Sequence, residues 1–161
     1  MAVERADGHS NPGISARKTK RDYLMRETVP CVVAILQTSQ GQILLQQRDD
    51  RPNLPFAGYW SMPGGKVEDG ETSDEAIHRE LVEEIEVDLP LKLWRVYERP
   101  GPNLMVIVQY VYTGGIDQKV CCLAINEGQA LRYVNSREFL ELPIAFGFEE
   151  LLKEYFTSFQ G

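Results

Sequence analysis

Cysteine is scarce in this chain: Cys31 and the adjacent pair Cys121 and Cys122 are the only three in 161 residues. They make neither a disulfide framework nor the CxxC spacing of a zinc site, so reduced thiols in a cytoplasmic protein are expected. No apolar run reaches the roughly 20 residues a membrane helix needs. The opening segment MAVERADGHSNPG lacks the apolar stretch of a secretory signal. Positive charge is also in deficit. Lys and Arg number 17 against 24 Asp and Glu, for a net charge of −7, the wrong sign for a surface that grips duplex DNA or RNA. The exception is RKTKR, Arg17 to Arg21, a short basic run of the kind that is usually solvated but can help hold an anionic ligand or a partner chain. Internal repeats and a regular strand–helix–strand alternation are missing too. What remains is an ordinary globular composition, 43% hydrophobic and 25% charged, in a chain long enough for one domain with a core and too short for two.

Residues 1–26 are polar, with Gly, Asn, Pro and Ser scattered through them, and read as a tail outside a domain spanning 27–161. From Thr28, TVPCVVAILQTSQGQILLQQR gives two β-rich runs around a Ser39-Gln40-Gly41 turn, a hairpin. A loop punctuated by Pro52, Pro55 and Gly58 leads to YWSM, a short strand candidate. Beyond the next helix, LKLWRVYE and LMVIVQYVYTGG read as strands on either side of the turn RPGPN. VCCLA and ALRYV are further short strand candidates. A small helix is expected near Asn135 or Ser136, and FEELLKEYFTSF is a terminal amphipathic helix. Strands mixed with two or three helices imply an α+β domain built on a mixed sheet.

The densest feature is PGGKVEDGETSDEAIHRELVEEIEV, Pro63 to Val87. Nine carboxylates lie between Glu68 and Glu86, with Arg79 the only Lys or Arg among them. Thr72 followed by Glu75 is a capping box that starts a helix. At helical periodicity Ile77, Leu81 and Ile85 form one stripe, and Glu80, Glu83 and Glu84 an adjacent one at i, i+3, i+4. Like charges so placed weaken a helix unless something cationic binds them. A hard divalent cation with a preference for oxygen ligands would answer that need; on the helix alone, a solvated acidic face is the simpler reading, and the flanking residues decide between them.

The spacing of these residues resembles the signature of the Nudix hydrolases, G-x5-E-x7-R-E-U-x-E-E-x-G-U with U aliphatic. Gly65, Glu71, Arg79, Glu80, Leu81, Glu83, Glu84 and Val87 fall at eight of its nine defined positions. Six match an exact residue type, each with a background frequency of roughly one in fifteen, so chance agreement is about one in ten million. Glu86 departs, standing where the family has glycine at a helix end that favours the left-handed conformation.

The resemblance implies a Nudix-type α/β/α sandwich around a mixed β-sheet. It implies Mg²⁺- or Mn²⁺-dependent cleavage of a diphosphate linkage in a small nucleotide substrate. Metal ligation falls on Glu80, Glu83, Glu84 and the carbonyl of Gly64, whose missing side chain allows close approach. Arg79 joins the catalytic set by orienting Glu71. The general base is implied to be Glu127 on a later loop, with Glu98, Glu83 and Glu84 as alternatives. Arg48, Trp60 and Gly65 are the candidate substrate contacts, Trp60 with Tyr59 as stacking surfaces for a base or ribose. The second half of the chain, including Pro102 at 15 residues past the motif, resembles the ADP-ribose pyrophosphatase branch, which favours ADP-ribose or a nucleotide sugar. A nucleoside triphosphate substrate of the MutT type is the alternative. A third reading is a Nudix-fold sensor that binds without cutting, although such proteins usually lose glutamates that are present here. A homodimer is common in the family.

Overall fold

A computed structural model describes residues 26–159. The tail expected over residues 1–26, with its basic run at Arg17 to Arg21, lies outside them except for Arg26.

Strand β1 (Thr28–Gln37) is the organising element. It pairs in parallel with β6 (Val106–Gly115) along its whole length, and antiparallel with β2 (Ile43–Gln47) and β4 (Gly64–Lys66). β3 (Trp60–Ser61) and β7 (Ala130–Val134) flank β2, and β5 (Lys92–Pro100) closes the other edge against β6. The result is one mixed sheet, as expected, and the hairpin at Ser39-Gln40-Gly41 is in place.

Alternation along β1 supplies two cores. Val32, Ala34 and Leu36 face helix α1 (Ser73–Ile85) and meet its Ile77, Leu81 and Ile85. Val33 and Ile35 face helix α2 (Phe148–Ser158) and meet Leu151, Leu152 and Phe156. A strand covered on both faces reads as a continuous apolar run, which is why CVVAIL shows no polar alternation. The α/β/α sandwich follows from that burial.

Thr72 caps α1 with the full reciprocal box to Glu75. Ile77 and Leu81 are fully buried and Ile85 nearly so, each contributing about 1.5–3 kcal/mol. Like-charge pairs on a helix surface cost only about 0.2–0.5 kcal/mol each. Apolar burial therefore holds the acidic helix in place with its carboxylates crowded.

One expected strand is absent. VCCLA forms a 3-10 turn, Val120–Cys122, because Val120 and Leu123 drop onto the α1-side core instead of meeting a sheet edge. The small helix near Asn135 is a 3-10 turn, Glu138–Glu141, preceded by Asn135, whose Oδ1 accepts from the backbone N–H groups of Arg137 and Glu138.

Candidate active site

Strand β4 brings the glycine pair onto β1. Gly64 sits opposite Val33 and Gly65 opposite Val32. Gly64 has φ 149°, and a Cβ there would lie 2.1 Å from the Val32 carbonyl oxygen; only glycine fits. A Cβ at Gly65 would lie 2.3 Å from Glu80 Oε1, so the glycine's bare face is the seat of that carboxylate. The Gly64 N–H donates to Glu84 Oε2 at 3.1 Å. The two glycines thus address two of the three box glutamates. Gly65→Ala displaces only the end of a side chain, so we expect stability to change by less than about 1 kcal/mol and turnover to fall about 10–100-fold. Gly64→Ala meets backbone and should cost about 3 kcal/mol in stability. Thermal unfolding and steady-state assays on the two variants check the contrast.

Arg79 occupies the middle of the acidic wall. Its Nε and Nη2 donate to the two oxygens of Glu71 at 2.7 and 3.0 Å. Nη1 reaches Glu80 at 3.0 Å and Glu83 at 3.2 Å, and Nη2 also donates to the Lys66 carbonyl at 3.0 Å. The Arg79 hydrogen bonds, reinforced by the Glu68 backbone N–H, hold the Glu71 carboxyl below its ordinary pKa. Glu80 is pushed up by burial, with Arg79 opposing. Glu83 is largely exposed.

Glu84 is the buried member, 5% exposed. Burial first, then a hydrogen bond with the Glu127 carboxyl and the charges of Glu127 and Glu80, push its pKa up to about 9. Burial therefore favours the protonated form of Glu84 near neutral pH. Among the described residues no three acid, histidine or cysteine side chains converge into a ready-made metal cage, and Arg79 engages two of the box glutamates. The donor set still fits a hard divalent cation: every donor is oxygen, and a cation beside Glu84 would take the place of the proton that burial and neighbouring carboxylates force on it.

A cleft of about 710 Å³ opens from this wall. Glu80, Glu84, Glu127, Gly64 and Gly65 line one end; Arg48, Arg99, Phe56, Phe146 and Phe148 line the rest, with Pro102 among its residues. Arg48 and Arg99 both stack on Phe146, at 4.7 and 5.2 Å from its centroid. Trp60 does not line the cleft. It packs against the α2-side core and donates its backbone N–H to Pro143, and Phe56 with Phe146 takes the aromatic place expected for it. Tyr59 also lies outside the lining, edge-on to Phe56. Glu98 is exposed on the opposite face of β5 and does not reach the carboxylates, so it drops out as a base. Arg99 was missing from the sequence-based set. Its signal was alternation: it shares a strand face with the half-buried Tyr97.

The motif residues, the glycine seat and the capped acidic helix agree with a family comparison, in which the NUDIX domain model matches residues 27–155. The chain belongs to the Nudix family. Members of this family are hydrolases of phosphoric anhydrides and generally use divalent metals. An RNA pyrophosphohydrolase of Wolbachia sp. subsp. Brugia malayi (strain TRS) is 39% identical to this Nudix chain over 119 residues, covering 70% of it and 71% of the relative. An ADP-ribose pyrophosphatase of Methanocaldococcus jannaschii is 28% identical over 154 residues, covering 91% and 84%. The chain spans 55% of the length of a second RNA pyrophosphohydrolase, from Wolbachia pipientis subsp. Culex pipiens (strain wPip), at 34% identity over 94 residues. Among solved structures, a MutT protein from Methanosarcina mazei Go1 superposes with a TM-score of 0.72 at 18% identity, covering 85% of this chain and 99% of that one; it shares the fold. No helix among the described residues is long and apolar enough to cross a membrane.

Proposed function

We propose that this Nudix chain is a Mg²⁺- or Mn²⁺-dependent pyrophosphohydrolase that cuts the diphosphate of a nucleoside diphosphate derivative, ADP-ribose or a nucleotide sugar being the preferred class. The observation that carries the proposal is one continuous cleft joining a carboxylate wall to a guanidinium–aromatic wall. Its volume suits a nucleotide-sized ligand. The ADP-ribose pyrophosphatase relative aligns over nearly the whole chain, which supports the substrate class.

Glu80, Glu83 and Glu84, with the Gly64 carbonyl, would hold the cation. When bound, it supplies positive charge against the diphosphate oxygens and lowers the pKa of a water. Glu127 takes the proton of the attacking water as its oxygen bonds to phosphorus and the bridging P–O bond breaks. Arg79 does not touch the substrate; it fixes Glu71 and Glu80 and so positions the ligand set. Arg48 donates Nε to the Pro55 carbonyl and Arg99 to Gln109 Oε1, and neither pairs with a carboxylate among the described residues. Burial lowers the pKa of both, a cost that a bound phosphate relieves. Phe56 and Phe146 offer the base a stacking surface.

The test is metal-dependent turnover of ADP-ribose, nucleotide sugars, dinucleotides, and normal and oxidised nucleoside triphosphates, with products identified. Release of AMP and a phosphosugar is the expected result. Arg99→Ala should raise KM for that substrate about tenfold with kcat within about twofold, the mark of lost uniform binding. A second reading, removal of pyrophosphate from a nucleoside triphosphate, is favoured by the 39% identity to an RNA pyrophosphohydrolase, and pyrophosphate among the products would establish it. Binding without turnover would return the protein to a sensor role.

A further inference from the structure

Glu86 is the one defined position at which this chain leaves the motif, and the structure gives its side chain a partner. Glu86 ends α1 at φ 58° and ψ 38°, a left-handed conformation that strains glutamate and not glycine. Its Oε1 accepts a hydrogen bond from Asn126 Nδ2 at 3.1 Å. The same nitrogen donates to the Glu83 carbonyl at 3.0 Å, and the Asn126 backbone N–H donates to the Glu84 carbonyl at 2.9 Å. Those carbonyls belong to the last turn of α1, where no intrahelical donor remains for them. Asn126 is thus a C-terminal cap supplied by another segment.

The next residue is Glu127, whose carboxyl meets that of Glu84. From the other side Gln46 Nε2 donates to the Glu127 carbonyl, and Gly128 packs so closely that a Cβ would lie 2.4 Å from the Gln47 carbonyl oxygen. The backbone of Glu127 is held between the sheet and the end of the helix that carries the box glutamates.

We propose that Glu86 and Asn126 form a clamp that fixes Glu127 against Glu84, making them positioning residues for hydrolysis, with Glu86 acting through Asn126. The proposal rests on the reading of Glu127 as the base. It explains why a strained glutamate is kept where glycine is easier: glycine would relax the backbone and remove the acceptor that steadies Asn126. Stability and catalysis then pull in opposite directions at residue 86.

The test compares Glu86→Gly, Glu86→Gln and Asn126→Ala with the unaltered chain, reading Tm, kcat, KM and the ¹⁵N order parameters of residues 126–128. Glu86→Gly is expected to raise Tm by about 2–4 °C while lowering kcat about tenfold, with KM nearly unchanged and residues 126–128 more mobile. Asn126→Ala should lower kcat at least as much and lower Tm. Glu86→Gln keeps an acceptor oxygen and should restore kcat. The clamp is overturned if kcat simply follows Tm across the series, or if residues 126–128 are as ordered in Glu86→Gly as in the unaltered chain. Glu127→Gln separates the two readings: wild-type turnover there would remove Glu127 as base, while the order parameters still decide whether Glu86 steadies the loop.

Discussion

Glu84→Gln is expected to lower turnover about 10³-fold and, in metal-free buffer at pH 8, to raise the melting temperature. Both effects come from one buried carboxyl. In the fold its pKa is raised from 4.5 to about 9, so between those values the folded chain holds a proton that the unfolded chain has released. Stability from this group is therefore fully present below about pH 4.5, declines as pH rises, and is lost by about pH 9. Glutamine is neutral throughout and removes that decline. It also removes the charge of a proposed metal ligand, and the rate is expected to fall with it. Calorimetry between pH 5 and 9 with a chelator, and turnover across a Mg²⁺ titration, read the two effects separately. Wild-type turnover at limiting Mg²⁺ would end the assignment of Glu84 to the metal site. A melting curve with the same pH slope in both proteins would show that Glu84 is ionised in the metal-free fold.

Arg79→Lys is expected to lower turnover about 10²-fold, close to the effect of Arg79→Ala. The guanidinium satisfies both Glu71 oxygens through two parallel bonds while a third nitrogen spans Glu80 and Glu83. An ammonium is a point donor and cannot reproduce that fork. Glu71 and Glu80 are each more than four-fifths covered, so stranding them should also cost about 2 kcal/mol of stability. The diagnostic readout is the Mg²⁺ concentration at half-maximal rate. It should rise in both variants, because Glu80 is no longer held against Gly65. An unchanged metal requirement would reduce Arg79 to a stabilising surface cation.

Much of this was legible in the residues. The capping box at Thr72 and Glu75 and the Ile77–Leu81–Ile85 stripe are local consequences of helix chemistry and periodicity, the pairing of Arg79 with Glu71 was implied by the family resemblance, and the structure shows each of them. The strand assignments for β1 and β6 rest on β-branched density, those for β2, β5 and β7 on short apolar or alternating runs with aromatics, and all of them hold. The misses share a different origin. VCCLA has strand composition, but pairing needs a partner edge and none is offered to it. Trp60 is as good an aromatic as Phe146 in sequence; only the sheet decides that the first faces a core and the second a cleft. Phe146 lies 86 residues beyond Trp60, in a short 3-10 turn with positive φ that no periodicity announces. Arg99 was hidden by the opposite problem, a charge on the inward face of a strand where an apolar residue is the expectation. Long-range pairing such as that of Asn126 with the end of α1 leaves no local trace at all.

The glycine seat is laid on Val32 and Val33, and those two residues point into different cores. The floor of the site is therefore part of the strand that opens last. Fraying of α2 would expose Phe156 and Leu152 yet leave Gly64 and Gly65 paired with β1. Amides of β1 and β4 should consequently exchange with solvent only through global unfolding, and heat inactivation should track complete melting of the domain, with no earlier loosening of the site.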